Sequence, residues 1–577
     1  MARTTRLVAA LAAVAMTAGG SVATAENAAG RFDRPQHGFA PADTVLHSAT
    51  ASSVGLDPEP IAAAERAIAA WTEADPTTRR PLFTGAVTLS VHHGVVVSRT
   101  AAGKAVRYAD AVGTELPADQ QVATRPDTIF DVASVSKLFT SIAVLCLVED
   151  GLIELDERVA TYLPEFAANG KESVTVEQLL THTSGLEPFI PLWRDWPDKP
   201  SRIQAVLERA PTKQPGSAYV YSDLNLITLG VLVERLSGLP LDRVVADRIT
   251  GPLGLRDTGY NPPTDKLDRI AATEFQSSPA RGMVRGQVHD ENAWSLGGVA
   301  GHAGVFSTAG DLAILAQAVL NGGTYAGERI LRADTVKEML ANHTAEFPGD
   351  NHGLGFELHQ RWYMGALSSP RTAGHTGFTG TSLVIDPASR SIAILLTNRV
   401  HPARTWGSIN VARETVATGL ARAMSVRPKH GPDAWFAGTA NAATSTLATS
   451  PLSTTGPVRI AFDTFVDTES SDALVLEWSP NGRSWQTIPV LASGPGAPAG
   501  EVHILAGSGH RSWWTINAVA PIADTFTLRW RLTTDGRYLG RGVYLDRILV
   551  TDGSRSLLNG EKEPHLMHPL GWRLQTC

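Results

Sequence analysis

The chain predicts a mixed α/β domain followed by an all-β sandwich, on three observations. Near the N-terminus a helical pattern gives way to a tight hairpin. Two long apolar helical stretches then occupy the middle, and strands return towards residue 400. Beyond about residue 430 the apolar period changes to two.

Each element has a local reason. Residues 57–74 read as a helix because Ile61, Ala64, Ile68 and Trp71 share one face. Strands at 85–92 and 95–99 follow, joined at His93-Gly94. Residues 134–150 read as a strong amphipathic helix stopped by Gly151. A second helix starts near Ser222, with Leu226, Leu229, Val233 and Leu236 on one side, and closes at Ser237-Gly238. A strand pair at 382–385 and 391–397 turns at Asp386-Pro387. In the last part Leu474, Leu476 and Trp478 alternate before an Asn481-Gly482 turn, which Trp485 and Ile488 follow. Phe526, Leu528, Trp530 and Leu532 alternate again, as do Val543 and Leu545. Short strands of period two with such turns describe a separate sandwich.

At 577 residues the chain exceeds what one core supports. Its 43% hydrophobic and 19% charged residues are ordinary for a globular protein. The net charge of -7 is spread without long runs, and no basic stripe or zinc-finger spacing occurs, which argues against nucleic-acid and anionic-membrane partners. Arg3 and Arg6 precede an apolar run at 7–16 and then Ala23-Thr24-Ala25, the layout of a cleaved export signal. The run is short for a bilayer span, so a secreted protein with no stable membrane anchor is expected. Residues 1–25 are therefore assigned to the signal, 26–53 to a flexible lead-in, 54–425 to the α/β domain and 430–577 to the sandwich. The two cysteines, Cys146 in an apolar helix and Cys577 at the end, are not expected to pair, because the tail would have to reach the core.

The chemistry starts at Ser134-Val135-Ser136-Lys137. One helical turn puts Ser134 and Lys137 on one face, where a desolvated amine can take the serine proton. A helix start also favours a developing anion. Tyr221-Ser222-Asp223 supplies a phenol to shuttle protons and a carboxylate to anchor the lysine or a substrate amide. His375-Thr376-Gly377-Phe378-Thr379-Gly380 leads into a strand, and its small residues let a substrate backbone approach. The N–H of Phe378 then joins that of Ser134 as an oxyanion donor, each such donor being worth about 3 kcal/mol. His289-Asp290-Glu291-Asn292, His302 and His352 fit no standard zinc spacing and are read as lining a loop beside the cleft, so no metal or other cofactor is expected. No G-x-S-x-G elbow occurs.

Taken together and in this order, the three motifs resemble those of the class C β-lactamase, DD-peptidase and family VIII esterase group of serine hydrolases. The stretches 179–186 and 252–255, and Gly297-Gly298 to Asp311, resemble that group too, and the likeness runs from about residue 53 to 423. It implies an antiparallel sheet flanked by helices, with Ser134 as nucleophile and Lys137 as its proton-accepting partner. Tyr221 matches the residue that helps activate the serine and protonate the leaving group. His375, Thr376, Gly377 and Phe378 match the strand that meets a substrate carboxylate. Many members carry Lys at the position of His375 and Asn at that of Asp223, and both departures weigh against efficient β-lactam hydrolysis.

The expected function is hydrolysis, through an acyl-enzyme, of D-amino-acid-containing peptide or amide bonds of cell-wall type. The alternatives are a carboxylesterase or weak β-lactamase of the same fold and, in another class, an inactive cell-wall-binding protein. The sandwich resembles jelly-roll domains appended to secreted bacterial peptidases through 478–482, Trp485 and 542–546, which makes it a candidate contact to cell-wall polymer. Its tryptophans are read as core residues, and Asp472 and Asp546 as structural rather than calcium ligands.

Overall fold

The structure, a computed structural model, describes residues 30–438, 440–507, 509–520 and 524–576. The segment read as an export signal and Cys577 lie outside them. The helix read at 57–74 is α1, Pro58–Ala70, capped by Asp57, whose side chain accepts from the N–H of Glu59. The hairpin is β1 (Gly85–His92) and β2 (Val95–Val106), the second strand running longer than read because Thr100 to Gly103 stay in register with β1. The two middle helices are α2 (Ser136–Glu149) and α3 (Asp223–Ser237). Next come α4 (Ala309–Leu320), β3 (Glu357–Leu358), β4 (Ala373–Gly377), β5 (Thr381–Asp386), β6 (Ser391–Thr397) and α5 (Asn410–Ala423).

The central sheet runs β2-β1-β6-β5-β4-β3, antiparallel throughout, with a short strand at His47–Ser48 added in parallel on β2. In β6, Ile392, Ile394 and Leu396 face one core, while Ala393 and Leu395 face another that holds α1 and α5. Both faces are covered, so the strand reads as an unbroken apolar run. Helix α2 corrects its amphipathic reading. From Ser136 to Leu147 every residue is buried, because the helix runs through the middle of the helical lobe.

The C-terminal part is all-β. Its main strands are β7 (Val458–Asp467), β8 (Ala473–Ser479), β9 (Trp513–Ala520), β10 (Asp524–Thr533) and β11 (Gly542–Asp552), divided between two antiparallel sheets. Trp530 is fully buried between them, edge-on to Phe462 at 5.6 Å, and Trp435, Trp514 and Trp572 are buried too. Asp472 and Asp546 lie apart. Asp472 clusters with Glu469 and Asp535, and Asp546 accepts the backbone N–H groups of Lys429 and His430.

Two features of the assembly differ from expectation. The lead-in is packed from Gly30 onward: Phe32 is buried, and its N–H bonds the carbonyl of Ser425. Phe32 also belongs to a core that joins α1 and α5 to Phe436, Phe465 and Tyr544 of the sandwich. The two parts are further tied by Arg511, which reaches Asp386 of β5 at 2.6 Å with both side chains fully buried. Among the described residues no single helix is long and apolar enough to cross a membrane.

Candidate active site

Ser134 sits in a short 3-10 turn, Ala133–Val135, just before α2 begins. The residue before it, Ala133, has φ +47°, an uncommon conformation for a side chain with a Cβ. The N–H of Ala133 donates to Asp131 at 2.8 Å, which holds this turn in place. The other oxygen of Asp131 accepts the N–H of His289 at 2.6 Å.

Lys137, one turn on, is buried at 1% exposure. Its Nζ donates to Ser134 Oγ at 2.8 Å and to the carbonyl of His302 at 3.2 Å, and pairs with Asp223 at 2.8 Å. It also lies 4.9 Å from the centre of the Tyr221 ring. Burial alone would lower the lysine, but the carboxylate of Asp223 outweighs it and the net shift is upward. The resting site therefore holds an ammonium, where the sequence reading expected a free amine. Tyr221 faces both Ser134 and Lys137. Burial raises its phenol, opposed by Lys137 and reinforced by Asp223. Asp223 thus serves as partner to the lysine, and it does not line the pocket over Ser134.

The turn from β4 into β5 is stitched to the serine turn. Thr379 Oγ1 donates to the carbonyl of Asp131 at 2.7 Å and Thr381 Oγ1 to that of Val132 at 3.1 Å. A Cβ on Gly377 would collide with the Val132 carbonyl and Thr381 Oγ1, so only glycine permits this approach.

His375 corrects its expected role. It is 1% exposed, its Nδ1–H donates to the Thr376 carbonyl at 2.7 Å, and burial together with Lys137 pushes its pKa down to about 3. A neutral, sealed ring is no cationic clamp for a carboxylate. It belongs instead to a group of buried rings behind Tyr221, in which His182 lies 4.5 Å from Tyr221 and 5.1 Å from His352. His182 Nδ1 accepts the N–H of Ser222 at 3.0 Å and so fixes the turn that carries Tyr221.

Over Ser134 opens a pocket of about 500 Å³, lined also by Tyr221, Thr376, Gly377 and Phe378. Three charged lining residues were not picked out from the sequence: Glu357, Arg399 and Arg413. Arg413 Nη2 donates to the carbonyl of Gly377 at 2.6 Å, and Arg399 lies over the ring of Phe378 at 4.8 Å. No short motif marks any of them, since each comes from a different element. His302 pairs with Asp290 at 2.9 Å, and oxygens of Asp223 and Asp290 approach a nitrogen of His302 within 4.8 Å. The ammonium of Lys137 already supplies the positive charge at that cluster.

The β-lactamase family model matches residues 74–417. A protein of Escherichia coli (strain K12) named "Putative D-alanyl-D-alanine carboxypeptidase" is 37% identical over 347 residues, which cover 54% of this chain and 78% of the relative. A protein of Salmonella agona (strain SL483) with the same name is 35% identical over 338 residues, covering 53% and 76%. Among solved structures, a penicillin-binding protein homolog from Caulobacter crescentus is 24% identical at a TM-score of 0.49, covering 64% of this chain and 99% of its own. A family VIII carboxylesterase is 22% identical at a TM-score of 0.46, covering 67% and 99%. The chain belongs to the β-lactamase family and is a serine hydrolase of that family.

Proposed function

We propose that the protein is an exported hydrolase that cleaves peptide or amide bonds following a D-residue, in the manner of a DD-carboxypeptidase. One observation carries the reading: Lys137 Nζ bridges Ser134 Oγ and Asp223, both at 2.8 Å, beside a pocket that also presents two guanidiniums. A free C-terminal carboxylate is the natural counterion for Arg399 and Arg413. The names of the curated relatives support the same substrate class. Export is supported by Arg3, Arg6 and the apolar run behind them.

In this reading Ser134 Oγ bonds to the carbonyl carbon while its proton passes to the Tyr221–Lys137 pair, which must first have lost one. The oxyanion rests on the N–H groups of Ser134 and Phe378. The C–N bond then breaks, with Tyr221 returning the proton to the departing amine, and water resolves the acyl-enzyme. The test compares wild type with Ser134→Ala on a peptide ending in D-Ala-D-Ala and on a p-nitrophenyl short-chain ester. Peptide turnover that falls by about 10³-fold or more in the variant upholds the proposal. Serine-dependent turnover of the ester alone moves the protein to the carboxylesterase reading. Tight ligand binding without turnover makes it a binding protein.

A further inference from the structure

The pocket over Ser134 is lined by one carboxylate, Glu357, and by the guanidiniums of Arg399 and Arg413. Glu357 lies on β3 opposite Gly374 of β4. The missing side chain at Gly374 leaves room for the Tyr363 hydroxyl, which a Cβ there would approach to 3.1 Å. One oxygen of Glu357 is buried without a hydrogen-bond partner, and so is Nε of Arg413. Arg413 is close enough to act on the charge of Glu357, yet its Nη1 and Nη2 donate to Asn410 and to the carbonyl of Gly377 instead. Tyr219, Tyr363, Lys137 and Arg413 all act on Glu357, and His352 is bridged to it along the backbone. Burial pushes its carboxyl up to about 7, with Tyr363, Arg413 and Lys137 holding it back. An ammonium placed against it would favour the ionised form.

Tyr221, the group that protonates the departing nitrogen in the proposed mechanism, lines the same pocket, so the departing residue occupies it. We propose that Glu357 is a specificity-determining residue: Arg413 takes the carboxylate of the departing residue and Glu357 takes an ammonium on its side chain. The favoured leaving group is then a D-diamino acid. A leaving group with both charges brings a counterion to Arg413 and to Glu357 at once, whereas one with only a carboxylate leaves an oxygen of Glu357 without a hydrogen-bond partner. This inference rests on the DD-carboxypeptidase reading.

The experiment measures kcat/KM for two N-acylated dipeptides, one ending in D-Ala-D-Ala and one in D-Ala-D-2,3-diaminopropionate. Wild type, Glu357→Gln and Glu357→Asp are compared, each first shown to melt cooperatively. Wild type is expected to favour the ammonium-bearing peptide by about tenfold or more. Glu357→Gln should lose the preference and Glu357→Asp should keep part of it. A wild type without preference, a wild type that prefers the D-Ala-D-Ala peptide, or a Gln variant that retains the preference overturns the proposal. If neither peptide turns over while the p-nitrophenyl ester does, the carboxypeptidase reading has failed. The role of Glu357 is then read from inhibition of ester hydrolysis by free D-2,3-diaminopropionate against free D-alanine. Stronger inhibition by the diamino acid, lost in Glu357→Gln, upholds the ammonium contact, and equal inhibition overturns it.

Discussion

Two buried charges, one in each half of the molecule, are held in contrasting ways. In the sandwich, Asp463 is fully buried and its oxygens meet Lys429 at 2.6 Å, His430 at 3.0 Å, Arg547 at 2.9 Å and Thr515 at 2.6 Å. In the hydrolase domain, Lys137 is just as buried, but one of its contacts is the half-exposed hydroxyl of Ser134. Asp463 has its bonding capacity filled by fixed neighbours and serves as a tie. Lys137 spends part of its capacity on a group that must react, so its charge state matters to chemistry. The same division separates Asp386, which Arg511, Thr372 and the N–H of Ala388 surround, from Glu357, which faces a pocket with an oxygen unpartnered. Filled charges hold the fold; unfilled ones mark the site.

The contrast breaks hardest at Arg511. Arg511→Ala leaves Asp386 buried without a cation and should cost about 3–5 kcal/mol, read by urea denaturation, with the activity of the folded fraction unchanged. Glu357 should behave in the opposite sense. Its carboxyl is raised to about 7 from an ordinary 4.5, so its contribution to stability is complete below about pH 4.5 and is lost as pH rises through 7. Glu357→Gln should therefore be more stable than wild type by about 2–3 kcal/mol at pH 8, with the gap closing by pH 4. Denaturation curves at both pH values check the sign. The smallest effect is expected at Asp223. Because its carboxylate raises Lys137, Asp223→Asn should lower the lysine and move the ascending limb of kcat/KM to lower pH. The gain at pH 7 should be about tenfold, and an unmoved pH profile would mean that Lys137 does not set that limb.

Much of this arrangement was legible because it is local. The three-residue step from Ser134 to Lys137 survives even though Ser134 lies in a 3-10 turn rather than in the helix proper. Strand β6 and the alternation of β10 were readable because period two is a property of the strand itself. The packed lead-in was not readable. Phe32 carries no periodic pattern, and its partners Phe465 and Arg511 lie more than 400 residues away. His375 misled for a related reason. Its place beside Thr376 implied a group facing substrate, but burial is decided by what packs behind the strand, here Tyr221 and the other histidines.

By itself the sequence determined the element types, the order of the three motifs and the membership of Ser134, Lys137 and Tyr221 in one site. Helix and strand periods and short motifs act over a few residues and are written directly in the chain. Tertiary structure alone decided the charge of Lys137, the neutrality of His375 and the presence of Glu357, Arg399 and Arg413 around the nucleophile. Charge states depend on burial and on neighbours brought together from distant segments, and those exist only once the chain has folded.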